Sequence, residues 1–124
     1  MESPKIKALI VDDEMDFRQL MSFWMKSKGY DVVEASNGKE AVELAGKERP
    51  DIIFMDINMP VMDGTEALKK IRETNKNVPV IIISAYVEDK RAKEAMSLGI
   101  SGVFYKGKDF QEGLALLEAA LHTH

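Results

Sequence analysis

Five short apolar runs, separated by longer segments whose apolar residues recur at helical spacing, constrain the fold more than any other feature of this chain. The runs are Ile6 to Val11, Val32 to Ala35, Ile52 to Met55, Val80 to Ile83 and Val103 to Tyr105. They are mostly β-branched or aliphatic, with Lys7 and Glu34 as polar interruptions. Most lack polar alternation, which is how strands covered on both faces read. Between them, Phe17, Leu20, Met21 and Trp24 make one stripe, and Ala41, Val42, Leu44 and Ala45 a second. Ala67, Leu68 and Ile71 make the third, Ala92, Ala95 and Met96 the fourth, and Leu114, Leu117 and Leu121 the fifth. We read Trp24 as packing within its stripe. Strict alternation of strand and helix implies parallel strands, right-handed crossovers and helices on both faces. The expected architecture is a (βα)5 doubly wound α/β domain with a parallel five-stranded sheet.

Local signals agree with that reading. Asn37-x-x-Glu40, Asp63-x-x-Glu66 and Asp109-x-x-Glu112 each place a capping acceptor three residues before an acid. Gly29 and Gly99 stand where the first and fourth helices should stop, and glycine suits a left-handed residue there. The 124 residues suffice for one core, so residues 1–124 are read as a single domain with its core at about 5–121. Pro79 opens the fourth strand, where a missing amide hydrogen is tolerated.

Composition narrows the classes of function. With a net charge of -4 the molecule offers no attraction to nucleic acid or an anionic membrane, so direct binding to either is not expected. The absence of cysteine excludes disulfides and thiolate metal sites and fits a reducing compartment. No apolar signal core follows Met1 and no apolar run approaches membrane-spanning length, so a cytoplasmic location is expected.

In a doubly wound sheet, polar sites form beyond the carboxyl ends of the strands. There stand Asp12 and Asp13, Asp56, Ser84 and Lys106. Singly, each has an ordinary reading as a helix cap, a turn residue or a solvated surface group. Jointly they make a chemical proposal. Two or three carboxylates without cysteine or nearby histidine form a hard oxygen site, suited to Mg²⁺ rather than zinc. A carboxylate beside that ion can attack phosphorus to give an acyl phosphate. The ion and a lysine would offset charge on the phosphoryl oxygens, while a hydroxyl donates a hydrogen bond. Such an ion also explains how a buried run can end in Asp12-Asp13-Glu14. Glu14 is expected to be a first-turn residue favoured by the helix dipole.

These residues, in this order, resemble the receiver domain of two-component response regulators. The motifs are Val11-Asp12-Asp13-Glu14, the run from Met55 through Asp56, Asn58, Met59, Pro60 and Met62 to Asp63-Gly64, Ser84-Ala85, and Lys106. The likeness extends from Lys5 to about Leu121. It implies a chemotaxis-regulator-like fold with flavodoxin-like strand order 2-1-3-4-5. It further implies that Asp56 accepts a phosphoryl group from the phosphohistidine of a histidine kinase or phosphotransfer protein. Asp13 and Asp56 would ligate Mg²⁺ (or Mn²⁺) with the main-chain carbonyl of Asn58, and Asp12 would act largely through water. Ser84 would hydrogen-bond the phosphoryl group and Lys106 would pair with it. The fourth helix, fifth strand and fifth helix would then repack and change affinity for a partner or output domain, a population shift. No separate substrate turnover is expected.

Two departures from the family pattern stand out. Lys106 is followed by Gly107, where the family usually has a proline after a cis bond; a trans bond and a more mobile loop are expected here. Val103 occupies the place of the usual switch aromatic, with Tyr105 two residues on and on the same strand face by alternation. Asn58 and Tyr86 occupy the positions bordering the path of attacking water, and Tyr86 is expected to shield the acyl phosphate.

Two other readings compete. One is a receiver-fold docking scaffold that works without phosphorylation, which would not need all of Asp12, Asp13, Asp56, Ser84 and Lys106. The other is a phosphatase with an aspartyl-phosphate intermediate, which usually has a second acid where this chain has Asn58. His122 and His124 are read as a frayed end. No DNA-binding or other effector segment follows Leu121, so a stand-alone regulator and a receiver from a longer protein are both open, and the output partner is unidentified.

Overall fold

The computed structural model describes residues 5–85 and 90–122. Strands β1 (Lys7–Val11), β2 (Asp31–Ala35), β3 (Ile52–Asp56), β4 (Val80–Ser84) and β5 (Gly102–Tyr105) alternate with five helices. These are α1 (Met15–Ser27), α2 (Gly38–Glu48), α3 (Gly64–Thr74), α4 (Lys90–Met96) and α5 (Phe110–His122). All strand pairs are parallel and the order is β2-β1-β3-β4-β5, as expected.

Position in the sheet explains the composition of each strand. The interior strands β3 and β4 are buried at every residue, and β1 at all but Lys7. Edge strands β2 and β5 are only half covered, which is where Glu34 is tolerated. Alternation sends Leu9, Val11, Ile53, Met55, Val80 and Ile82 to one face, under α2, α3 and α4. It sends Ala8, Ile10, Phe54, Ile81, Ile83 and Phe104 to the other, under α1 and α5. Each fully buried Ile, Phe or Met contributes about 1.5–3 kcal/mol relative to exposure, so this two-sided sheet is the main support of the fold.

Helix ends follow their sequence signals. Asn37 accepts from the Glu40 amide at 2.9 Å, and the Glu40 carboxylate accepts in return from the Ser36 amide and hydroxyl. Asp63 accepts from the Glu66 amide at 2.9 Å. Asp109 instead bonds the amide of Gln111, one residue earlier than the spacing suggests. Gly29 and Gly99 have φ of +97° and +79° after α1 and α4.

Two stripe residues do not pack as expected. Leu20 and Met96 are largely exposed. In α1 the buried side is set by Phe17, Met21, Trp24 and Met25. At about 100° per residue, Leu20 falls about 60° from Phe17 on the side away from Met21 and Met25. Met96 closes the short α4, whose contact with the sheet is made by Ala92 and Ala95.

Candidate metal and phosphoacceptor centre

The order of the strands brings the polar residues together. β1 is flanked by β2 and β3, so the chain's direction of winding reverses there and opens a crevice at the carboxyl edge. Asp12 follows β1 directly, Asp56 ends β3, Ser84 ends β4 and Lys106 follows β5. The Lys106 amide donates to the Ser84 carbonyl at 2.9 Å, which fixes the lysine beside β4.

Asp12 and Asp56 are buried, and each is anchored the same way. The Glu14 amide donates to Asp12 Oδ1 at 2.8 Å, and the Asn58 amide to Asp56 Oδ1 at 2.9 Å. These turns, closed two residues ahead by an aspartate side chain, leave the second oxygen of each carboxylate facing the crevice. There Lys106 Nζ lies 3.0 Å from Asp12 Oδ2 and 3.1 Å from Asp56 Oδ2. Asp13 is exposed at the rim, and one oxygen from each of Asp12, Asp13 and Asp56 lies within 4.8 Å of the others. Asp12 Oδ2 is buried and accepts no hydrogen bond of normal geometry, despite its lysine neighbour. An orphaned buried oxygen among three converging carboxylates fits a hard divalent cation such as Mg²⁺ or Mn²⁺.

The electrostatics are those of an acidic site short of cations. Burial pushes the Asp12 carboxyl up to about 6; the Glu14 amide opposes the rise, the Asp56 charge adds to it, and Lys106 opposes it. Burial likewise raises Asp56, against the pull of the Asn58 amide and Lys106. Burial works against the Lys106 ammonium, but bonds to Glu14 and Asp12 and the charges of Asp56 and Asp12 outweigh it, so its pKa is raised.

Glu14 departs from expectation. It precedes α1 with extended φ and ψ of -81° and 105°, makes no side-chain capping bond, and ion-pairs with Lys106. Its partner is 92 residues away, so no local pattern announces the contact. The Phe17 ring centroid lies 4.9 Å from the same ammonium. Sequence reasoning also passed over Arg18. It donates to the Asp12 carbonyl at 2.7 Å and, through Nε, to Glu34 at 2.9 Å. The polar interruption in β2 is therefore the anchor of a guanidinium that holds the Asp12 turn.

The loop between β3 and α3 is tightly shaped. A Cβ on Gly64 would lie 2.4 Å from the Asp56 carbonyl oxygen, so only glycine lets α3 start this close to Asp56. The Met62 amide donates to the Pro60 carbonyl at 2.8 Å, with Val61 at a φ of +70° and almost fully exposed. Arg91 donates to Asn58 Oδ1 at 2.7 Å, tying this loop to α4. On the far side, Lys106–Gly107 is trans, with Gly107 at φ +92° in a turn closed from the Lys108 amide to the Tyr105 carbonyl at 3.2 Å. Val103 is half-buried against the face covered by α2, α3 and α4, while Phe104 points into the opposite core. Tyr86 lies outside the described residues.

Comparison with known proteins agrees with this geometry. Sporulation initiation phosphotransferase F of Bacillus subtilis is 39% identical over 106 residues, 86% of this chain and 86% of that protein. Regulatory protein AtoC of Escherichia coli is 37% identical over 93% of this chain, which spans only 25% of AtoC. Chemotaxis protein CheY4 of Vibrio cholerae superposes with a TM-score of 0.89 at 32% identity, covering 95% of this chain and all of that one. The family model described as the response regulator receiver domain matches residues 8–118. With the strand order, the acidic crevice and its lysine in place, this chain belongs to the response regulator receiver domain family.

Proposed function

We propose that this signalling domain is a phosphoacceptor whose site is Asp56. The observation that carries this reading is the position of Asp56 Oδ2, held 3.1 Å from the Lys106 ammonium in a crevice shared with Asp12 and Asp13. The donor is the phosphohistidine of a histidine kinase or phosphotransfer protein. An Asp56 oxygen attacks phosphorus, the P–N bond breaks, and its electron pair returns to the imidazole nitrogen, leaving an acyl phosphate. Asp13 and Asp56, with the main-chain carbonyl of Asn58, would hold Mg²⁺ directly, and Asp12 would do so through water. When bound, that ion supplies positive charge to offset the phosphoryl oxygens. Lys106 pairs with the phosphoryl group, and the Ser84 hydroxyl donates to it. The altered bonding at Ser84 and Lys106 reaches α4, β5 and α5, whose repacking changes the surface that a partner reads. Among the described residues no helix is long and apolar enough to cross a membrane, and we place the domain in the cytoplasm with its kinase.

The test is incubation with acetyl phosphate and Mg²⁺ followed by intact mass. One phosphoryl group is expected, lost in Asp56→Ala and in Asp13→Ala, with far-ultraviolet circular dichroism unchanged. No gain of mass by the natural chain would favour the phosphorylation-independent scaffold. Turnover of a generic phosphate ester is not expected.

A further inference from the structure

We propose that Glu14, with the Phe17 ring, forms a second seat for the Lys106 ammonium, and that this seat sets the divalent-cation affinity of the acidic crevice. The inference rests on the reading that the crevice binds such a cation.

Lys106 Nζ is shared among three carboxylates that differ in kind. Asp12 and Asp56 are buried, and their inward Oδ2 atoms lie 3.0 and 3.1 Å from it. Asp56 would hold a crevice cation directly and Asp12 through water, so the cation would draw on the same two carboxylates. Two cations sharing this pair of carboxylates would lie close together in a poorly solvated site, where like charges repel strongly. Cation binding is therefore an exchange in which the ammonium gives up Asp12 and Asp56.

Glu14 decides how costly that exchange is. Its carboxylate is mostly exposed and stands outside the group formed by Asp12, Asp13 and Asp56. Its bond to Lys106 therefore does not compete for the crevice oxygens. The Glu14 amide is fixed to Asp12 Oδ1, so the seat is built into the same turn as the site. Phe17, one helical turn further on, presents its ring 4.9 Å from the ammonium, within range of a cation–π contact. The lysine can thus leave the two aspartates while keeping an anion and a ring face. Without Glu14 it must stay on the aspartates or go without an anionic partner.

A general attraction by Glu14 for any cation would also raise affinity, but it would not depend on Lys106. Calorimetric titration of the full chain with MgCl₂ separates the two effects. It is run at 150 mM KCl, where the screening length is about 8 Å. K106M should bind more tightly than the natural chain, because the competitor is gone. E14Q should bind about three- to fivefold more weakly, the scale of one partly exposed charge-assisted bond. E14Q added to K106M should change affinity by less than about twofold. Equal losses in both backgrounds, or none in E14Q, would overturn the seat. If Asp13→Ala abolishes binding while E14Q binds like the natural chain, the seat fails and the metal reading stands. Absence of Mg²⁺ binding by the natural chain would overturn both.

Discussion

Arg72 and Lys106 are both drawn partly out of water at opposite ends of the sheet, and the protein receives them differently. Arg72, at the amino end, donates to the carbonyls of Val78 at 2.8 Å, Gly99 at 2.9 Å, Asn75 at 3.2 Å and Leu98 at 3.4 Å. Neutral dipoles take up its donors and lace the loops before β4 and β5 to α3. Burial lowers its pKa. Lys106, at the carboxyl end, faces carboxylates instead, and its pKa is raised. Around it stand Asp12, Asp13, Glu14 and Asp56, more negative charge than one ammonium offsets. One end is closed by neutral partners, and the other keeps an excess of negative charge.

The largest test of that contrast is Arg72→Ala. Four carbonyls lose a charged donor, and a loss of about 2–3 kcal/mol in urea unfolding is expected, with phosphorylation by acetyl phosphate retained. A loss under about 0.5 kcal/mol would show that water replaces the guanidinium freely. At the other end the sign reverses. Asp12 has a pKa of about 6 in the folded chain against 3.8 unperturbed, so between those values the folded state holds the proton more tightly. In the absence of divalent cation, stability from this group is full below about pH 4 and falls as pH rises through 6. Asp12→Asn should remove that decline and raise stability at pH 7 by about 1–2 kcal/mol, the lost pairing with Lys106 offsetting part of the gain. Destabilisation by Asp12→Asn in chelator would mean that Lys106 already balances the crevice. The smallest expected effect is at Val61, a β-branched residue at φ +70°. Val61→Asn, which tolerates that region better, should add about 0.5–1 kcal/mol in the same assay.

The fold was legible in the sequence because the period of the apolar residues switches at each of the nine passages between strand and helix. The candidate residues Asp12, Asp56, Ser84 and Lys106 stood out for a related reason: each ends or directly follows an apolar run, and Asp13 is next to Asp12. Contacts across the chain left no such trace. Glu14 reads as a helix residue until β5 is seen to deliver Lys106 beside it. Arg18 and Glu34 look like unrelated charges until β1 and β2 pair side by side. Leu20 was misjudged because helical spacing marks a stripe without marking its rim, and the rim is set by how α1 lies on the sheet.

The turn after Lys106 has a consequence for sequence change. Gly107 occupies it at φ +92°, a value that a pyrrolidine ring cannot reach. A proline at position 107 would thus need a different architecture for this corner, not a small adjustment of it. Replacing Gly107 by proline would require the corner between β5 and α5 to be rebuilt. Grafting this loop between receivers should therefore carry residues 105–108 as a unit.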